Sequence, residues 1–188
     1  DMIEEFSKKI CNRESITISL HTHNDQGMAV AATELGLMAG ADRVEGTLFG
    51  HGERTGNVDL VVCINNYFAR GIETGIDLSN LPVIANKVES LTGMPIYYRQ
   101  PYSGAYAFTA FSGSHQDAIN KGMKKLNDAP KLFNQSWKVP YLHIDPMDIG
   151  RKYEKLIRIN SQSGKGGIAW VLEQDYDIEL PKNIQLEL

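Results

Sequence analysis

The stretch Ile16-Thr-Ile-Ser-Leu-His-Thr-His-Asn-Asp-Gln-Gly27 indicates the fold class of this chain. Its first part, Ile16–Leu20, is a short run rich in β-branched residues and predicts a strand. Polar residues His21 to Gln26 lead into Met28–Met38, which is rich in alanine and leucine with helical spacing and is closed by Gly40. The stretch therefore predicts a strand, a polar loop and a helix.

The same order repeats directly afterwards. Arg43–Phe49 predicts a second strand, Gly50-His-Gly-Glu-Arg-Thr-Gly-Asn57 a glycine-rich loop, and Val58–Arg70 a helix. Apolar residues between Met2 and Ile10 at helical spacing predict another helix ahead of the first strand. Strands alternating with helices are typical of α/β proteins with a parallel sheet, whose chemistry lies in loops at the carboxyl ends of strands. Both polar loops occupy such positions.

The pattern changes beyond about residue 75, where prolines separate shorter elements. Leu81–Thr92 and Gln116–Leu126 predict helices, and Ile157–Asn160 indicates a strand. Gly167–Gln174 fits either a helix or a strand. We therefore expect a domain boundary within residues 72–80 and divide the chain into residues 1–75 and 76–188, the second part being a small α+β or mostly helical extension.

Composition excludes several classes of protein. The chain has 188 residues with 19 basic and 23 acidic side chains, and the net charge of −4 disfavours a nucleic-acid binder. No apolar run approaches the length of a membrane span, and no signal-peptide pattern is present. Cys11 and Cys63 are too few for a disulfide framework or a thiolate metal site, so we expect both to be reduced and buried in a cytoplasmic protein.

His21-Thr22-His23 carries the sharpest local signal for chemistry. Residues i and i+2 of a strand point to the same side, so two imidazoles at a strand's carboxyl end can bind one metal ion. Asn24 and Asp25 follow directly and can orient the rings through hydrogen bonds. The alternative is a pair of solvated histidines in a polar loop.

A divalent site needs further ligands besides two histidines. Asn57 ends the second loop and can approach the same ion or its bound substrate, while Glu53 in that loop can act as an acid, a base or a hydrogen-bond acceptor. The alternative is a glycine turn followed by a helix for which Asn57 is the N-cap. Spacing alone does not decide between these interpretations.

Three later features are ambiguous when each is taken by itself. His115 lies in Ser112-Gly-Ser-His-Gln-Asp117 just before a predicted helix, where a capping or surface role is the simpler interpretation. Tyr141 fits a packing aromatic. Ser161-Gln-Ser-Gly-Lys-Gly-Gly167 can cradle an anion, although it lacks the P-loop spacing and such loops are more often turns.

Taken together, these segments resemble the 2-isopropylmalate synthases of the Claisen-condensing, metal-dependent TIM-barrel superfamily. His21–Gly27 and Gly50–Asn57 are similar to the loops after strands 7 and 8 of that barrel. The long form of the family is indicated by four later stretches: Ala110–Gly122, Val139–Pro146, Asp148–Arg151 and Asn160–Gly167.

The resemblance implies the last two βα units of a (β/α)8 TIM barrel followed by an extension. The family's first strand carries an Arg-Asp pair whose aspartate binds the metal, and this chain has no such strand. The C-terminal leucine-binding regulatory domain is also absent. We therefore expect this chain alone to have no synthase activity and to require the missing N-terminal part of the barrel.

The resemblance also implies a reaction and its residues. The family condenses acetyl-CoA with 2-oxoisovalerate and hydrolyses the thioester to give 2-isopropylmalate, the first committed step of leucine biosynthesis. It implies that His21, His23 and Asn57 hold a divalent ion, which residue chemistry leaves open among Zn²⁺, Mg²⁺ and Mn²⁺. It also implies that Glu53, His115 and Tyr141 are catalytic, in a homodimer whose active sites combine residues from both subunits.

Several alternatives stay open. Homocitrate or citramalate synthases are the nearest alternatives at the level of substrate, because pocket residues of the absent strands decide the 2-oxo acid. A non-catalytic fragment that serves only assembly or dimerisation is an alternative from another class. Amidohydrolase-type metal hydrolases also use His-x-His, but they need two further strand-end histidines and a late aspartate, which His51, His115 and His143 do not supply.

Overall fold

The chain forms a mixed α/β structure. In the computed structural model the described residues are 2–128, 137–153, 172, 176, 178 and 180–185. The chain separates into two compact units, one of residues 1–77 and 85–104 and the other of residues 78–84 and 105–188. Within the described ranges, no helix combines the length and apolar character needed to cross a membrane.

The first unit contains the elements in the predicted order. They are α1 (Met2–Lys9), a 3-10 helix (Arg13–Ser15), β1 (Ser19–His21), α2 (Ala29–Met38), β2 (Arg43–Glu45), a 3-10 helix (Leu48–Gly50) and α3 (Leu60–Ala69). Helix α4 (Leu81–Thr92) has the predicted bounds and contributes residues to both units. Strands β1 and β2 pair in parallel, with Leu20 opposite Val44 and His21 opposite Glu45. The described part of the first unit thus has two βα repeats on a parallel pair of strands.

Both strands are shorter than predicted. The strand predicted at Ile16–Leu20 is Ser19–His21, because only these residues face β2 and the Ile18 amide donates instead to the Asp42 carboxylate at 2.8 Å. The strand predicted at Arg43–Phe49 ends at Glu45. The chain then turns into a 3-10 helix in which Phe49 has a φ of 59°, a left-handed value that no strand accommodates.

The core of the first unit lies beneath the helices that flank the two strands. Ala29, Val58 and Cys63 are buried together, and partly buried side chains pack around them: Val30, Val44, Leu60 and Tyr67. A Cβ atom added to Gly36 of α2 would overlap Leu20 of β1, so the absence of a side chain lets helix and strand pack closely. This packing holds the carboxyl ends of β1 and β2 in place.

The prediction that both cysteines are buried is wrong for Cys11. Cys11 is exposed because α1 ends before it, whereas Cys63 lies inside α3 among core residues. Burial raises the pKa of the Cys63 thiol to about 12. Neither cysteine forms a disulfide, as the sequence predicts.

The second unit contains a longer helix than predicted. Helix α5 spans Gly113–Asp128 where Gln116–Leu126 was expected, and it is followed by a 3-10 helix at Pro146–Ile149 and a short helix at Lys182–Gln185. Asp145 caps the 3-10 helix by accepting a hydrogen bond from the Met147 amide at 2.9 Å. The predicted strand at 157–160, the ambiguous segment at 167–174 and the glycine-rich loop at 161–167 lie outside the described residues, except for Leu172, which is helical.

Candidate functional site

His21 and His23 lie on one side of the carboxyl end of β1. His21 is the last residue of the strand, and His23 forms an isolated antiparallel bridge with Asn57. Thr22 between them points the other way, where its hydroxyl lies 2.8 Å from that of Thr33 in α2. This alternation brings the two imidazole rings to a centroid separation of 5.3 Å, with their planes at 54°.

Asn57 joins the two histidines from the second loop. Asn57 is only 7% exposed as a residue, and its Nδ2 atom donates a hydrogen bond to His21 Nε2 at 3.0 Å. Its backbone amide donates to the Gly50 carbonyl at 3.2 Å. A Cβ atom on Gly52 would overlap Asn57 Oδ1, and one on Gly56 would overlap the Gly50 carbonyl oxygen. The glycines therefore allow the loop to wrap closely around the Asn57 amide.

Asn57 is not the N-cap of the following helix. Helix α3 starts two residues later than predicted, and Asp59 is its N-cap, accepting from the Val61 amide at 2.8 Å. The other Asp59 oxygen accepts from the Gln100 side chain at 2.6 Å. Burial raises the pKa of Asp59 above its ordinary value. Because Asp59 takes the capping role, the Asn57 amide is available to the histidines.

Glu45 lies beside His21 on the neighbouring strand. Its Oε2 atom is 3.7 Å from His21 Nδ1, and its Oε1 atom accepts from the Ser19 hydroxyl at 2.7 Å and from Arg43 at 2.9 Å. The hydrogen bond from Ser19, together with Arg43, holds the pKa of the Glu45 carboxyl below its ordinary value. Glu45 therefore places a negative charge next to Nδ1 of His21.

Arg54 makes a comparable contact with His23. It adopts a left-handed φ of 55° and binds the Asp25 carboxylate through Nε at 2.7 Å and Nη2 at 3.2 Å. Its Nη2 atom also lies 3.2 Å from His23 Nδ1. The hydrogen bond from Arg54 lowers the pKa of Asp25. Arg54 thus ties the loop after β1 to the loop after β2.

Glu53 lies in the same loop with a largely exposed side chain. Its carboxylate is 3.6 Å from Arg54 Nη1, and 86% of its side chain is exposed. The Glu53 carbonyl accepts a hydrogen bond from the Gly56 amide at 2.8 Å. The structure thus brings His21, His23 and Asn57 into contact, while Glu53 faces solvent beside Arg54.

His115 and Tyr141 meet in the second unit. His115 is in the first turn of α5, and its ring lies 4.2 Å from that of Tyr141, centroid to centroid, with the planes 31° apart. Tyr141 has a φ of 64° and an exposed side chain. Both residues line a cavity of about 310 Å³ whose wall also includes Phe108, Ile119 and Leu142. Residues 26 positions apart in the sequence are thus stacked at the mouth of one cavity.

The donor atoms of the first unit fit a divalent cation incompletely. Two imidazoles and one amide converge, and these are ligand types suited to Zn²⁺, Mg²⁺ or Mn²⁺. Among the described residues there is no group of three or more His, Cys, Asp or Glu side chains that could hold a metal. These residues therefore fit part of a coordination shell, to which at least one further ligand must be added.

Glu45 and Arg54 were not predicted from the sequence as parts of this site. Glu45 becomes a neighbour of His21 through the register of the parallel strands, so the predicted pairing of two strands was the signal that could have found it. Arg54 contacts Asp25 and His23 while its backbone adopts a positive φ, and no motif in the sequence predicts this conformation.

Two family models match adjoining parts of the chain. Residues 1–88 match the family described as HMGL-like, and residues 105–173 match "Alpha-isopropylmalate synthase, post-catalytic domain-like". The first match covers the histidine pair and the glycine-rich loop, and the second covers His115 and Tyr141.

Curated relatives are similar over the whole chain. A 2-isopropylmalate synthase of Rhizobium meliloti (strain 1021) is 58% identical over 187 residues, and those of Rhodospirillum rubrum and Clostridium acetobutylicum are 57% and 54% identical over the same length. These alignments cover 100% of this chain and 33% of each relative. The chain is thus similar over its whole length to 2-isopropylmalate synthases, and it spans about a third of the length of these relatives.

Proposed function

We propose that this chain acts as part of a 2-isopropylmalate synthase, which condenses acetyl-CoA with 2-oxoisovalerate and hydrolyses the thioester to form 2-isopropylmalate in leucine biosynthesis. The observation that carries the proposal is the convergence of His21, His23 and Asn57 at the carboxyl end of a parallel strand pair. The similarity of the whole chain to proteins with that name supports this reaction over other uses of a two-histidine site.

The two βα repeats are, in this proposal, the last two units of a TIM barrel. The HMGL-like match and the parallel pairing of β1 with β2 support this assignment. A barrel needs all its strands for closure, and a pair of strands leaves two open edges. The remaining strands must therefore be supplied with this chain, and we expect the chain alone to be inactive.

His21, His23 and Asn57 would hold the divalent ion. When bound, such an ion acts as a Lewis acid on the carbonyl of the 2-oxo acid. Asn57 offers an oxygen ligand once its amide turns, exchanging the positions of Oδ1 and Nδ2. His23 offers Nε2 once its proton lies on Nδ1, which requires the Arg54 contact at 3.2 Å to lengthen.

The remaining catalytic residues act on the two substrates. Glu53 is a carboxylate at the rim of the site and would orient the metal-bound substrate through a hydrogen bond. His115 would remove a proton from the acetyl methyl group, since an imidazole is a suitable base near neutral pH. Tyr141, stacked 4.2 Å from His115, would donate a hydrogen bond to the developing oxygen anion.

We further propose that His115 and Tyr141 serve the active site of a second subunit in a homodimer. These residues belong to a different compact unit from the histidine pair. Complementation of full-length proteins tests this assignment. One chain would carry His115→Ala and the other His21→Ala with His23→Ala. If active sites are shared, each mixed dimer has one intact site and recovers up to about half of the wild-type rate.

Three outcomes would count against the proposals. Coenzyme A release that does not depend on 2-oxoisovalerate in the full-length enzyme would refute the reaction, and preference for another 2-oxo acid would favour the homocitrate or citramalate alternative. Lack of recovery despite demonstrated subunit exchange would mean that each chain supplies its own base. The purified 188-residue chain should release coenzyme A only at background level.

A further inference from the structure

We propose that Glu45 is a positioning residue that holds the His21 imidazole with its proton on Nδ1, so that Nε2 is ready to bind a cation. This inference rests on the proposed function in one respect, the role of His21 as a metal ligand. The orientation of His21 itself is a property of this chain and can be measured without metal.

The register of the two strands places Glu45 next to His21. These residues are directly opposite in the parallel pair, as are Ser19 and Arg43 two positions earlier. Side chains two positions apart share a face, so all four lie on the exposed face of the strand pair while Leu20 points into the core. The neighbour of His21 on this face is therefore set by β pairing.

Contacts with Ser19 and Arg43 hold the Glu45 carboxylate beside the His21 ring. The Ser19 hydroxyl and the Arg43 guanidinium both donate to Oε1, at 2.7 Å and 2.9 Å. Arg43 also donates to the Ser19 hydroxyl oxygen at 2.9 Å. Oε2 remains directed towards His21 Nδ1 at 3.7 Å.

The contact at His21 Nε2 also indicates that the proton of this imidazole lies on Nδ1. The Asn57 NH₂ group can only donate, so the His21 Nε2 atom that it meets at 3.0 Å accepts. A neutral imidazole that accepts at Nε2 carries its proton on Nδ1, the nitrogen that faces Glu45. Both neighbours of His21 therefore favour one tautomer, and it is the one that can ligate through Nε2.

His23 provides a contrast within the same site. Its Nδ1 faces the Arg54 guanidinium at 3.2 Å, and a guanidinium has no acceptor. The His23 proton then lies on Nε2. The structure thus assigns opposite tautomers to the two histidines, and only the one beside Glu45 is prepared for a cation.

Nuclear magnetic resonance of the chain with ¹⁵N-labelled histidine tests the inference. Long-range ¹H–¹⁵N spectra, recorded at a pH where the imidazoles are neutral, distinguish the two tautomers, and His21→Ala identifies the His21 signals. We expect wild-type His21 to be mainly protonated on Nδ1. Glu45→Ala should shift His21 towards the other tautomer, and Glu45→Gln, which keeps an acceptor, should give an intermediate result.

A titration of the full-length protein with Zn²⁺ alone supplies the second readout. Removing a carboxylate that orients a metal-bound histidine typically weakens metal affinity by about 10- to 100-fold. We expect a loss in that range for Glu45→Ala and a smaller loss for Glu45→Gln. Glu5→Gln is the matched control, because it removes another exposed carboxylate from an ion pair, with Lys9 on α1, and should change neither readout.

The outcomes separate this inference from the proposed function. An unchanged His21 tautomer in both Glu45 variants, or an unchanged Zn²⁺ affinity, would overturn the role of Glu45. If Zn²⁺ shifts neither His21 nor His23 in the full-length protein, the proposed metal site fails. The tautomer comparison still decides in that case whether Glu45 positions His21. If Glu45→Ala does not fold, Glu45→Gln carries the comparison.

Discussion

The side-chain amide of Asn57 donates a 3.0 Å hydrogen bond to Nε2 of His21, and the Asn57 residue is buried. This contact connects the end of β1 to the loop after β2. It also means that two of the candidate metal-binding side chains, those of Asn57 and His21, hold each other in place. Disturbing Asn57 should therefore affect both stability and metal binding.

Replacing Asn57 by alanine tests this connection. Loss of one hydrogen bond typically costs about 0.5–1.5 kcal/mol, so we expect urea unfolding at a correspondingly lower midpoint. Zn²⁺ affinity should fall at least about 10-fold, as for loss of a residue that holds a ligand. Asn86→Ala, at an exposed position of α4, is the control and should leave both measurements unchanged. Equal affinity in the two variants would contradict the role of Asn57.

Gly52→Ala tests the fit of the loop around the amide. The added Cβ atom would overlap Asn57 Oδ1, and inserting an atom into a packed site typically costs about 1–3 kcal/mol. Gly75→Ala separates this clash from backbone strain, because Gly75 has a φ of 71° and open space around it. We expect Gly52→Ala, and not Gly75→Ala, to weaken Zn²⁺ binding. Full affinity in Gly52→Ala would show that the loop does not constrain Asn57.

The pair of Asp25 and Arg54 predicts a specific pH dependence. Because the hydrogen bond from Arg54 lowers the pKa of Asp25 in the folded state, the interaction stabilises the fold above the ordinary aspartate pKa. This contribution is lost as the pH falls through the lowered value. Carboxyl chemical shifts measured against pH should place the Asp25 pKa higher in Arg54→Gln than in the wild type. Identical titration curves would mean that the pair does not form in solution.

The Asp59 carboxyl predicts a dependence of stability on pH that is opposite in sign to that of Asp25. Burial raises the pKa of Asp59 in the folded state, so its contribution to stability declines as the pH rises from the ordinary aspartate pKa through the raised value. Asp59→Asn keeps an N-cap acceptor and should remove this dependence, whereas Asp59→Ala loses the cap and should cost about 0.5–2 kcal/mol. Urea unfolding across this pH range measures both. A wild-type pH dependence retained by Asp59→Asn would exclude Asp59 as its source.

The proximity of His21, His23 and Asn57 could be predicted from the sequence because it depends on simple periodicity. Alternation along a strand placed His21 and His23 on one side, and the rule that parallel strands end at the same edge brought Asn57 to them. Helices α2 and α4 were predicted closely because their apolar spacing is long enough to be distinctive.

The remaining features depend on interactions between distant residues. The strand lengths follow from pairing and from the left-handed Phe49, and the partners of the histidines follow from register at Glu45 and from the backbone of Arg54. The stacking of His115 on Tyr141 joins segments 26 residues apart, and only the resemblance to a family singled them out. Local sequence patterns carry no information on such contacts.

The most direct test of the metal site is anomalous X-ray diffraction at the zinc edge from crystals of the full-length protein grown with Zn²⁺. We predict one strong peak at about 2.0–2.2 Å from a ring nitrogen of His21, a ring nitrogen of His23 and the Asn57 side-chain oxygen. The Asn57 amide should have turned relative to the arrangement in which Nδ2 faces His21. A zinc position that involves only one of these residues, or none, would contradict a metal site formed by His21, His23 and Asn57.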